Sequence, residues 1–140
     1  MIGRSAIREH VFILLFESLF NESERMGTQA DNYFECLDRP VDEESATFIE
    51  ERFRLVEEKL PEIDTLIDEK SSGWKVNRIG KVELSIMRLA IYEMLFDDEV
   101  PESVAINEAV ELAKKYGQDQ AGSFVNGVLA KFASKEKSGE

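Results

Sequence analysis

Arg4 and Arg8 stand one helical turn apart, and the same row continues through Phe12 to Phe16. Two guanidinium groups leading into two rings suit a single-stranded nucleic acid, which needs cations for its phosphates and flat faces for unpaired bases. The same row equally suits an ordinary core helix, with the rings buried and the arginines solvated. A second group, Glu93, Asn107, Glu108 and Asn126, has the residue types of a catalytic cluster. The expectation is instead structural. Buried polar groups without partners cost about 1–3 kcal/mol each, so these side chains should bond one another or helix ends inside a bundle. Arg88 and Glu93 are five residues apart and do not share a helix face, so each needs its own partner. One histidine, His10, and one cysteine, Cys36, lie far apart, with no oriented base in sequence reach. There is no Gly-rich phosphate loop, metal-ligand cluster or nucleophile elbow. No enzymatic activity, metal or cofactor is expected.

The elements that must position these residues are helices. The chain has 140 residues, 43% hydrophobic and 33% charged, enough for one domain with a real core. No apolar run approaches the roughly 18 residues of a membrane span, and Val11–Phe16 is too short for a secretory signal. The lone cysteine suits a reducing cytosol. A net charge of −12 excludes a generally basic surface, so any nucleic-acid contact must be local.

The periodicity predicts a first helix over 4–20, with Ile7, Val11, Leu14 and Leu15 on its inner face. Thr28 and Asp31 resemble a helix start, followed by Ala30, Tyr33, Phe34 and Leu37 and a stop before Pro40. Asp42 is expected to cap the next helix, whose stripe is Ala46, Ile49, Phe53, Val56 and Leu60. Pro61 is expected to end it and open a short one carrying Ile63, Leu66 and Ile67. From Asp42 to Lys70 there are eleven acids against four bases, so this face should avoid nucleic acid. Ser71-Ser72-Gly73 is a polar break. Beyond it the balance reverses, with Lys75, Arg78, Lys81 and Arg88 against Glu83. Trp74 and Ile79 are expected to seat a turn before a largely apolar helix over 80–96.

Val104–Phe132 reads as two helices joined at Gly117, which is expected in the left-handed position past the first of them. Ala105, Ala109, Leu112 and Tyr116 form one stripe, and Ile106, Val110 and Ala113 a second beside it. That breadth predicts a helix in the middle of a bundle. Val125, Val128, Leu129 and Phe132 should line the inner face of the last helix. Phe124, about 100° round from Val125, should be partly exposed. Gly122 and Gly127 each cost about 1 kcal/mol in a helix relative to alanine, so close backbone approach is expected there. The domain is read as 1–133, with 134–140 a polar tail.

Val104-Ala105-Ile106-Asn107-Glu108-Ala109-Val110-Glu111-Leu112-Ala113-Lys114, Tyr116-Gly117 and Phe124-Val125-Asn126-Gly127-Val128-Leu129 resemble the signature of the NusB family of bacterial transcription antitermination factors. Trp74, Arg78-Ile79, Met87-Arg88-Leu89-Ala90-Ile91-Tyr92-Glu93 and Val100-Pro101 extend it. The resemblance is strong over 74–132 and rests mainly on helix layout over 1–70. It implies an all-α fold of about seven helices in two packed sub-bundles, matching the helices read above.

It further implies binding of boxA, a single-stranded RNA element of ribosomal RNA leaders, together with NusE, a small-subunit ribosomal protein. Such a complex supports processive transcription of ribosomal RNA operons with RNA polymerase and other Nus factors, in the bacterial cytoplasm and without a membrane. Carried onto this chain, the RNA face is Arg4, Arg8, Phe124, Gln120 and Ser123, and the NusE face is Phe16 and Glu83. The first helical turn departs from the family by having Ser5, Ala6 and Ile7 where further cations are common, and Ile13 replaces a frequent glutamine. Fewer cations mean weaker RNA binding alone and a shallower salt dependence. Two other readings are a helical protein-interaction domain with weak or lost RNA binding, and the RNA-recognition module of an RNA methyltransferase, of which no catalytic segment is present in these residues. The free protein as a monomer or as a homodimer is compatible with the sequence.

Overall fold

A computed structural model describes residues 1–20, 33–37, 40–71 and 73–133. These residues contain five α-helices: α1 (Arg4–Ser18), α2 (Glu43–Lys70), α3 (Lys81–Phe96), α4 (Glu102–Tyr116) and α5 (Ala121–Ala130). A 3-10 turn, Val76–Arg78, precedes α3, residues 33–35 are helical, and no strand occurs among the described residues. The chain forms two compact units, Met1–Glu58 and Lys59–Glu140. The helix start expected at Thr28–Asp31 and the tail after Ala133 lie outside the described residues.

In the first unit α1 buries Ile7, Val11, Phe12, Leu14 and Leu15, the spacing anticipated for its inner face. Asp42 caps α2 as expected: its carboxylate accepts the Ser45 N–H at 3.0 Å and the Ser45 hydroxyl at 2.6 Å. The Ser45 hydroxyl in turn accepts the Ile2 N–H at 2.9 Å, tying the N-terminus to this cap. These hydrogen bonds from Ser45 hold the Asp42 carboxyl below its ordinary value. His10 Nδ1 meets the Tyr33 hydroxyl, and burial lowers the His10 pKa from its ordinary 6.5, partly opposed by Glu9.

Pro61 does not end the second helix; α2 runs through it to Lys70. An interior proline costs about 3 kcal/mol, through a lost hydrogen bond and a ring clash. Ile63 and Ile67, both 0% exposed, lie beyond it on the inner face. Burying two such side chains contributes about 1.5–3 kcal/mol each, enough to carry the helix past the break. The two helices expected here are therefore one, which accounts for part of the difference from about seven.

The second unit is organised by α3, buried without interruption from Leu84 to Glu93. α4 packs against α3 and α5, and α3 meets α5 as well. Here the expectation for α4 needs correction. Only Ala105, Ala109, Leu112 and Ala113 are buried on it, whereas Val104 and Tyr116 are exposed. Its opposite face carries Ser103, Asn107, Glu111 and Lys114 in solvent. α4 is a one-sided helix whose alanines permit close packing, and α3 is the enclosed one. Asn107 and Asn126 are exposed rather than bonded inside the bundle, while Glu93 is buried and Glu108 half-buried.

Two glycine expectations also change. Gly117 is extended, at φ −90° and ψ 176°, and not left-handed. It is needed for space, since a Cβ there would lie 2.5 Å from Ala121 Cβ and 2.8 Å from the Ala113 carbonyl. At Gly127 a Cβ would meet nothing within 4 Å, so no close approach within the chain requires this glycine. At Gly122 a Cβ would make only ordinary contacts, with Lys114 Cγ at 3.4 Å. Gly127→Ala is therefore expected to stabilise the protein by about 0.5–1 kcal/mol, read as a higher urea midpoint at unchanged slope.

Candidate functional site

The last helix begins abruptly. Gln120, at its N-cap, is the sole described residue other than glycine with positive φ, at 72°. That left-handed step reverses the chain after Asp119, so that Ser123 and Phe124 fall in the first turn of α5. No side chain caps this terminus; the Ala121 N–H bonds the Gln118 carbonyl at 3.0 Å, and the Phe124 N–H bonds that of Gln120 at 3.0 Å. Gln120 and Ser123 are exposed, and Phe124 is half-buried, as helix geometry required.

Trp74 closes on Phe124 edge to face, ring centroids 5.3 Å apart and planes at 73°. Trp74 is 49% exposed. Beside this pair lies an open cleft of about 260 Å³, with Glu83, Asp119 and Gln120 among its polar walls. Glu83 belongs to the first turn of α3 and leans over Gly80, where an added Cβ would collide with its carboxylate; one at Gly117 would lie 3.1 Å from it. The two glycines thus make room for a carboxylate in the cleft. Its aromatic surface can stack a flat group, and its acids disfavour an anion on the cleft floor.

The residues anticipated from sequence are placed unequally. Within the second unit the structure brings together Gln120, Phe124 and Glu83 around one cleft. Glu83, expected on a protein-binding face, is a wall of it. In the first unit Arg4 is exposed, whereas Arg8 is only 8% exposed and engaged in interactions of its own. Phe12 is core at 2% exposure and Phe16 half-buried, 6.4 Å from it between centroids. The arginine–phenylalanine row is thus mixed, and Arg4 is its open cation. Trp74 was missed as a functional residue; its signal was an aromatic amid Lys70, Lys75, Arg78 and Lys81. Among the described residues no group of three or more His, Cys, Asp and Glu could hold a metal ion. No helix of the described residues is long and apolar enough to cross a membrane.

These features define, first, an all-helical protein with an aromatic, acid-walled cleft at the start of its last helix. Residues 5–134 match the NusB family, and the chain belongs to that family. It is 53% identical over 130 residues to the transcription antitermination protein NusB of Agathobacter rectalis, covering 93% of this chain and 98% of that protein. In shape it is similar to NusB of T. maritima, with TM-score 0.82 and 35% identity over 99% of both chains. It is also similar to a protein chain in the crystal structure of a plectonemic RNA supercoil, with TM-score 0.77 and 26% identity, covering 94% of this chain and 95% of the other.

Proposed function

We propose that this protein is a transcription antitermination factor that binds boxA single-stranded RNA together with NusE and supports processive transcription of ribosomal RNA operons in the bacterial cytoplasm. The observation that carries the RNA reading is Phe124, a half-exposed ring on the first turn of α5 beside a cleft, within the segment that most resembles the family. Phe124 stacks a base, with Gln120 and Ser123 beside it in sequence offering polar contacts. Arg4 supplies a phosphate contact from the first unit, and Arg8, being largely enclosed, acts chiefly by holding α1 in place. Phe16 and Glu83 are the positions assigned to NusE. The family membership and the relatives' names support this reading; RNA polymerase and other Nus factors are indirect partners.

The chain carries −12 overall and few cations near its N-terminus, so alone it binds RNA weakly and takes the remaining positive charge from its basic partner. The test is a boxA titration with and without NusE across a salt series. Affinity should rise at least tenfold with NusE, and the salt dependence should steepen as phosphate contacts are added. Equal affinity and equal slope in the two series would sink the idea.

A further inference from the structure

We infer that the RNA surface extends from Phe124 onto Trp74 and the 3-10 turn after it, with Trp74 stacking a second base and Lys75 and Arg78 holding the adjoining phosphates. This rests on the RNA-binding reading above.

Trp74, at 49% exposure, is the most exposed of the second unit's large apolar residues. A ring of that size is normally sheltered, and left in water it is a stacking platform. Because its plane stands at 73° to that of Phe124, the two rings offer differently oriented faces. They suit two bases splayed apart, as in an unpaired strand.

The cations are arranged to match. Lys75 and Arg78 are exposed and stand at the two ends of the Val76–Arg78 turn, Lys75 as its extended N-cap and Arg78 as its last residue. The turn is closed by the Arg78 N–H on the Lys75 carbonyl at 2.8 Å. It is also anchored to the end of α2: Asp68 accepts the Val76 N–H at 2.8 Å, and its carbonyl accepts Lys75 Nζ at 3.3 Å. A turn already fixed has less freedom to lose on binding. Among the described residues neither Lys75 nor Arg78 forms an ion pair; the Arg78 guanidinium is open, and the Lys75 ammonium, with one of its three donors on the Asp68 carbonyl, has two left for a phosphate. Inside the cleft Glu83 and Asp119 repel phosphate. The charges therefore separate the two parts of a nucleotide, with bases against the rings and phosphates at the cationic turn.

The experiment titrates a labelled boxA oligonucleotide with the full chain and NusE over a potassium chloride series. Trp74→Ala should weaken binding about tenfold and Trp74→Phe should retain most of it. The double change Lys75→Gln with Arg78→Gln should lower the slope of log affinity against log salt by about 1.4, roughly 0.7 for each single-strand phosphate contact. Wild-type affinity and slope in these variants, beside a weakened Phe124→Ala, would overturn the extension while the RNA reading stands. Unchanged binding in Phe124→Ala as well would remove that reading. Loss of NusE capture without RNA, with RNA binding kept, would assign the face to the protein partner and also overturn the inference. If Trp74→Ala melts early, the exposed lysine and arginine changes decide by themselves.

Discussion

Replacing Phe124 by alanine is expected to weaken boxA binding roughly 5- to 150-fold, the range spanned by about 1–3 kcal/mol per stacked base. The side chain has two roles, and they must be separated. Its ring is half-buried against Trp74, so alanine also removes apolar contact and leaves Trp74 more exposed. Phe124→Leu keeps most of the buried apolar area but has no π face. Leucine should therefore fold like the wild type and bind RNA nearly as poorly as alanine, whereas Phe124→Tyr should bind well. Anisotropy with the oligonucleotide, paired with a thermal melt of each variant, reads both roles. Wild-type affinity in a fully folded Phe124→Leu protein would show that no base stacks there.

The partial exposure of Phe124 was legible because it is a matter of helix phase. Val125 is fixed inward by its neighbours Val128 and Leu129, and 100° per residue places Phe124 at the margin. The Asp42 cap was legible for a similar reason, since it needs only a carboxylate three residues before an N–H. Other features depend on what lies opposite in space. Gly117 announced a special backbone, but the sequence does not say whether a glycine serves φ or volume. It serves volume, and Gln120 takes the left-handed step instead. Pro61 carries a local stop signal that two buried isoleucines override. The apolar breadth of α4 suggested enclosure, yet alanines are apolar without filling space, and larger side chains make α3 the buried helix. Trp74 read as a turn anchor because its proximity to Phe124, fifty residues away, has no local signature.

Arg88→Met is expected to destabilise the protein by about 2–4 kcal/mol, a larger cost than most single core methyl deletions. Arg88, within the buried Leu84–Glu93 stretch, takes a carboxylate of α2 as its partner. Its Nε donates to Asp64 Oδ1 at 2.9 Å and its terminal nitrogen to Oδ2 at 2.7 Å. The arginine side chain is 10% exposed and the aspartate 28%, so this fork is drier than a surface pair but not sealed. Methionine fills similar space without donors, which strands Asp64 with neither guanidinium nor free access to water. Arg88→Lys keeps the charge but loses the two-point geometry and should cost less, about 1–2 kcal/mol. The decisive variant is Arg88→Met with Asp64→Leu, in which no charge is left unpaired. If the loss in Arg88→Met comes from the orphaned carboxylate, the double variant regains much of it, and the urea midpoints give a coupling of about 1–3 kcal/mol. Strict additivity would mean that the fork contributes nothing beyond packing. Asp64 also lies just past Pro61, between Ile63 and Ile67 on the part of α2 that outlasts its own stop signal. Loss of the fork should therefore raise amide exchange first in residues 62–70, before α4 or α5 opens.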